Sequence, residues 1–122
     1  MQQWLPGGEA AIVRAVATSL RRVFPHVKVF RSVEGWGYHF IASEAMLQTP
    51  SVELAMSRMP AAAVRDMMEW VADPNPRRLW RDMLAHEVVV DELAPGSTGV
   101  AITDDRPFNE YFVLRRSLAR LR

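Results

Sequence analysis

The side chains of this chain best able to do chemistry are the consecutive Asp104, Asp105 and Arg106, three histidines and four tryptophans. On a strand, Asp104 and Asp105 would point to opposite faces and could not share a proton as a dyad. In a turn, one carboxylate would cap the backbone while the other bonds Arg106. At the rim of a pocket, a carboxylate would instead accept hydrogen bonds from an amine or hydroxyl ligand. Both readings stand on the sequence. The histidines are His26, His39 and His86. His26 and His39 are expected near one another across a hairpin, but two imidazoles without a third ligand make a weak metal site. A Ser-His-Asp arrangement cannot be argued from residues that any chain of this length contains. The lack of cysteine excludes disulfides, thiolate metal sites and a cysteine nucleophile.

Trp4, Trp36, Trp70 and Trp80 could each stack on a planar ligand. Trp70 and Trp80 fall on apolar helical faces and are assigned to the core. Trp36 stands in a turn, where burial is not automatic, so it is a candidate to face a ligand or a partner chain. Tyr38, two residues on, joins it as a candidate. Met56, Met59, Met67, Met68 and Met83 read as gap-filling core. No glycine stands between a strand and a helix in a G-x-G-x-x-G frame, so no phosphate or dinucleotide loop is present.

The elements that must position these groups centre on His26 to Ser43. Val27, Val29 and Arg31 alternate with Lys28, Phe30 and Ser32. Tyr38, Phe40 and Ala42 alternate with His39, Ile41 and Ser43. The Glu34-Gly35-Trp36-Gly37 link permits the positive φ a hairpin turn needs. Apolar residues on both faces of both arms predict a sheet covered on both sides.

Before the hairpin, Gln2 to Pro6 reads as the end of a strand entering a loop. Glu9 to Phe24 reads as a helix with Ile12, Val13, Val16, Leu20, Val23 and Phe24 on one face. Pro25 ends it. After the hairpin, Thr49-Pro50 predicts a helix opening that runs to about Met56. Ala61 to Val71 and Arg77 to Ala85 predict two more helices, the second burying Leu79, Trp80 and Met83. Val88 to Val90 reads as a strand and Asp91 to Gly99 as loop. Val100 to Pro107 and Glu110 to Arg115 carry further strand-like runs.

The 122 residues suffice for one domain, assigned to 1–122, and the 49% apolar content predicts a folded chain. No apolar run approaches the roughly 20 residues of a membrane helix. The N-terminus lacks a signal-peptide pattern, so a cytoplasmic location is expected. A net charge of +1, with arginine supplying all basic residues but Lys28, argues against nucleic-acid binding. The run Arg115, Arg116, Arg120 and Arg122 reads as a solvated helix end or fraying tail.

Several short strings occur in a familiar order. They are Gln3-Trp4-Leu5-Pro6, Val23-Phe24-Pro25-His26-Val27, Gly35-Trp36-Gly37-Tyr38-His39-Phe40 with Ala42-Ser43, and Thr103 to Tyr111, TDDRPFNEY. With them the chain resembles the C-terminal portion of the spermidine-synthase-like (polyamine aminopropyltransferase) family. That resemblance implies a fold class of α/β: a partial methyltransferase-like Rossmann sheet, ending in a helix and an antiparallel hairpin, with added helices. In the family, the glycine-rich loop for the aminopropyl donor and the proton-accepting acid lie upstream of the strand that Gln3 to Pro6 resembles. This chain begins three residues before Trp4. Ser32-Val33 also stand where the family's polyamine enzymes place a Tyr-Pro pair.

The resemblance therefore implies no catalysis by this chain alone and no cofactor for it. It also implies association, as a homo-oligomer or with an upstream catalytic half, because unpaired strand edges and a wide apolar face favour another chain. Two other functions stay open. One is a small oligomeric interaction module presenting Trp36 and the Asp104-Asp105-Arg106 turn to a protein. The other is an amine-transferring enzyme whose site is completed by another chain.

Overall fold

Ser32 and Gly37 close the hairpin around which the chain folds. The Ser32 backbone N–H donates to the Gly37 carbonyl at 2.9 Å, and Gly35 N–H donates to the Ser32 carbonyl at 2.8 Å. Gly35 sits at φ +76°, a left-handed conformation that favours glycine. The structure is a computed structural model that describes residues 1–6, 9–69, 71–96, 99–103 and 105. In chain order its elements are β1 (Gln2–Pro6), α1 (Ala10–Val23), β2 (His26–Arg31), β3 (Gly37–Ser43), α2 (Val52–Arg58), α3 (Ala61–Met68), α4 (Pro76–Ala85), β4 (Glu87–Val88) and α5 (Val90–Leu93).

The strands form one antiparallel sheet in the order β1-β3-β2-β4. Both β1 and β2 run antiparallel to β3, so they run parallel to each other, with α1 connecting them and β3 between. The short Gln2–Pro6 segment is thus a full strand, because β3 supplies its ladder partner. The mixed α/β character expected from the sequence is present, and every strand pair is antiparallel.

Alternation divides the sheet into two faces. Leu5, Val27, Val29, Tyr38, Phe40 and Ala42 face α1, whose Val13, Ala17 and Leu20 pack on them together with Ala94. Val29 and Phe40 are fully buried there. Burying a side chain of Phe or Val size contributes about 1.5–3 kcal/mol each. Gln2, Trp4, Lys28, Phe30, His39 and Ile41 occupy the other face.

Four sequence expectations need correction. Thr49 does not cap a helix. Ser51 does, its Oγ accepting from Leu54 N–H at 3.1 Å, and α2 starts at Val52. Both positions carry a hydroxyl, and Thr49 is drawn instead into a tertiary contact described below. Of the Val88–Val90 run only Val88 pairs with β2, together with Glu87 before it, and α5 takes up Val90 and the start of the Asp91–Gly99 loop. Asp91 and Glu92 favour the first turn of α5 through the helix dipole, and Val90 and Leu93 pack on the core. Val23 is 66% exposed, since it ends α1 where the chain turns away through Phe24 and Pro25. Finally, His26 pairs with Ser43 and His39 with Phe30. Those positions differ by four residues, about 13 Å along a strand, so the two imidazoles do not meet.

The helices of the second half follow their local signals. Asn75 caps α4 by accepting from Arg78 N–H at 3.1 Å, with Pro76 at the first turn. No helix among the described residues is long and apolar enough to cross a membrane.

Candidate functional site

Among the described residues, the sheet face turned away from α1 is covered only in part, by α4 and the connector before α2. It forms the floor of an open, mainly apolar groove of about 670 Å³. α4 supplies one wall with Trp80, Met83 and Leu84, and the connector Leu47 to Pro50 supplies another. Trp36, at the hairpin turn, stands at the end of the groove and is 73% exposed.

The floor has a definite order. Trp4 pairs with His39 across β1 and β3, and His39 pairs with Phe30 across β3 and β2. Three ring-bearing side chains therefore lie in one row perpendicular to the strands. In the next row toward the other end, Gln2, Ile41 and Lys28 are aligned in the same way.

Lys28 brings a polar cluster to this second row. Its Nζ donates to Thr49 Oγ1 and to Glu87 Oε1, both at 2.6 Å, and Thr49 Oγ1 donates to Glu87 Oε2 at 3.1 Å. This triad ties β2, β4 and the connector together. It also explains why Thr49 is not a cap. Trp80 Nε1–H donates to Met59 Sδ at 3.0 Å, which orients the indole of α4 against the α2–α3 junction.

Both hydroxyl side chains of the described lining, Ser32 and Thr49, are engaged in hydrogen bonds. Ser32 already exchanges hydrogen bonds with Gly37, and Thr49 is committed to Lys28 and Glu87. Among the described residues, no three His, Asp or Glu side chains gather as metal ligands do.

The residues singled out in the sequence are dispersed. Trp36 lines the groove. Tyr38 lies on the opposite face, packed against the core, with the Arg31 guanidinium 5.8 Å from its ring centroid. Asp105 is exposed, in a turn, and does not line the groove. The segment leading to it is held against α1, where Ile102 N–H donates to Ser19 Oγ at 2.7 Å and Arg22 donates to the Gly99 carbonyl at 3.2 Å. Asp104 and Arg106, like Trp70, lie outside the described residues.

Sequence reasoning missed Phe30 and Lys28 as site residues, weighed His39 only as a metal ligand, and named Trp4 only among the four tryptophans able to stack on a planar ligand. The period-two alternation of the hairpin contained the signal for the first three, since it places Lys28, Phe30, His39 and Ile41 on one face. Trp80 was assigned to the core, and it forms a groove wall instead.

Comparison of the chain with known protein families, with characterised proteins and with solved structures finds no match.

Proposed function

We propose that this chain is a spermidine-synthase-like C-terminal segment that closes one edge of a methyltransferase-like Rossmann sheet and does no catalysis alone. One observation carries this reading. β1, α1, β2 and β3 follow in the order strand, helix, hairpin, with β3 inserted between two parallel strands. The resemblance implies the same order of strand, helix and hairpin; its fourth string, Thr103 to Tyr111, lies outside the described residues except for Thr103 and Asp105. The 122 residues hold no glycine-rich loop able to grip an adenosyl donor.

β1 lies at one end of the sheet order. An edge strand is a template for pairing with another chain. The reading therefore gives this chain a partner at β1, either a second copy or an upstream catalytic half.

Isothermal titration of the chain with S-adenosylmethionine and with its decarboxylated form tests the first part. No heat of binding is expected, and micromolar affinity overturns the reading. Size-exclusion chromatography with light scattering tests the second part. A dimer or larger species at micromolar concentration is expected for the chain alone if the partner is a second copy. A monomer that also fails to pair with a co-expressed upstream half overturns the association.

A further inference from the structure

Beyond that reading, we infer that the groove on the outer sheet face is a binding site for a small, neutral, planar aromatic molecule bearing one carbonyl acceptor. Three observations converge on this class of ligand. The first is size. A groove of about 670 Å³ falls inside the roughly 300–1,000 Å³ range of small-molecule sites.

The second is shape. Trp4, His39 and Phe30 form a row across three adjacent strands. Two interstrand steps of about 4.8 Å make that row roughly 10 Å long, the length of a molecule of three or four fused rings. The row lies on one face of a sheet, so it favours a flat ligand over a globular one. Trp36 and Trp80 also line the groove. Aromatic side chains bind planar rings through their faces and edges and carry large contact areas.

The third is the polar anchor. A lysine ammonium has three donors. Two of Lys28's go to Thr49 and Glu87, which leaves one for a ligand in a groove that Lys28 itself lines. Glu87 already balances the charge of Lys28. A carboxylate ligand would have to compete with Glu87 for that charge, whereas a neutral carbonyl needs only the remaining donor. Arg31 and Glu34, which also line the groove, carry opposite charges, so the lining as a whole holds no excess charge and favours an uncharged acceptor.

Nile red, a neutral fused-ring dye with one carbonyl, is a suitable probe because its emission rises and shifts to the blue in apolar surroundings. Fluorescence titration of the whole chain is expected to show saturable binding of one dye per chain. Trp36→Ala and Phe30→Ala should each weaken binding about tenfold or more, the loss expected when a stacking ring is removed. Lys28→Met should weaken it several-fold. Tyr38→Phe, on the opposite face, should leave it unchanged. Trp36 is largely exposed, so its replacement leaves the fold intact and the thermal melt checks this.

Non-saturable binding, or saturable binding unmoved by Trp36→Ala, overturns the site. Equal affinity in the wild type and Lys28→Met overturns the carbonyl anchor. Dye affinity that falls as protein concentration rises assigns the groove to a second copy and also overturns the proposal. An adenine ring seated in the groove would also give heat in the adenosyl-donor titration, so that titration is repeated on Trp36→Ala: heat lost in the variant reports the groove, and heat retained overturns the proposed function.

Discussion

The Ser32 side chain and the Gly37 backbone exchange hydrogen bonds in both directions. Gly37 N–H donates to Ser32 Oγ at 2.8 Å, and Ser32 Oγ–H donates to the Gly37 carbonyl at 3.1 Å. This hydroxyl completes the hairpin at the point where its ladder ends. It also holds the turn that presents Trp36 to the groove.

Ser32→Ala removes both bonds and leaves the backbone N–H and carbonyl of Gly37, a buried residue, without this partner. A loss of about 1–2 kcal/mol is expected. Urea unfolding should show it as a lower midpoint with an unchanged slope. Ser32→Thr, which keeps the hydroxyl, should recover most of the loss.

Gly35 isolates a backbone effect in the same turn. Its φ is +76°, and a Cβ added there would meet nothing within 4 Å. Gly35→Ala is therefore opposed by conformation alone, at about 1–2 kcal/mol. Gly35→Asn should cost less, because asparagine tolerates the left-handed region better. Equal stability of the two variants in thermal melts would show that the turn relaxes to another form.

How far the fold was legible depended on whether its signals were local. The hairpin and α1 were read nearly to their ends because alternation and helical spacing are local patterns. The start of α4 was read one residue late, at Arg77, although the Asn75 cap and Pro76 at the first turn are local signals too. Thr49 and Ser51 show where such reading stops. Both are hydroxyl residues suited to capping, and only the distant Glu87 and Lys28 decide which one does it. β4 ends earlier than its apolar run suggests for the same reason, since its two residues of ladder exist only where β2 lies beside them. The groove was partly legible: alternation grouped Lys28, Phe30, His39 and Ile41, but not how the described residues leave a groove over that face. That depends on where α4 crosses the sheet, and no local pattern encodes it.

Phe40 tests the packing of the buried sheet face. It is fully buried between α1 and the strands. Phe40→Ala should cost about 3–5 kcal/mol through lost burial and a residual cavity. That is a large share of the roughly 5–15 kcal/mol that stabilises a domain. Phe40→Leu, closer in volume, should cost far less. Chemical denaturation of both variants measures the difference, and a loss below about 1 kcal/mol for Phe40→Ala would show that this face is not the core.

The Lys28–Glu87 ion pair makes a different prediction, because the Lys28 and Glu87 side chains keep 24% and 39% of their surface in water. Solvent and salt screen a pair at such a site, so Glu87→Gln should cost only about 0.5–1 kcal/mol. The difference from wild type should shrink in about 1 M salt, where the screening length is near 3 Å. A cost that does not respond to salt would identify the hydrogen bonds, and not the charges, as the source of stability.

Thr18 leads to an opposite sign. It is 3% exposed, and its Oγ1 is buried without a hydrogen-bond partner among the described residues. A hydroxyl in that state pays for its desolvation and gains nothing in return. Thr18→Val keeps the shape and removes the polar atom, so it should stabilise the chain by about 1 kcal/mol or more. Gly99 supplies the counter-test. A Cβ at Gly99 would sit 2.5 Å from Thr18 Oγ1, which forces either the helix or the 99–103 segment to move. Gly99→Ala should therefore destabilise the chain, and Thr18→Ala should rescue it by vacating the same space. Thermal melts of the two single variants and the double variant measure this coupling, and additive effects would mean that Gly99 and Thr18 do not touch in solution.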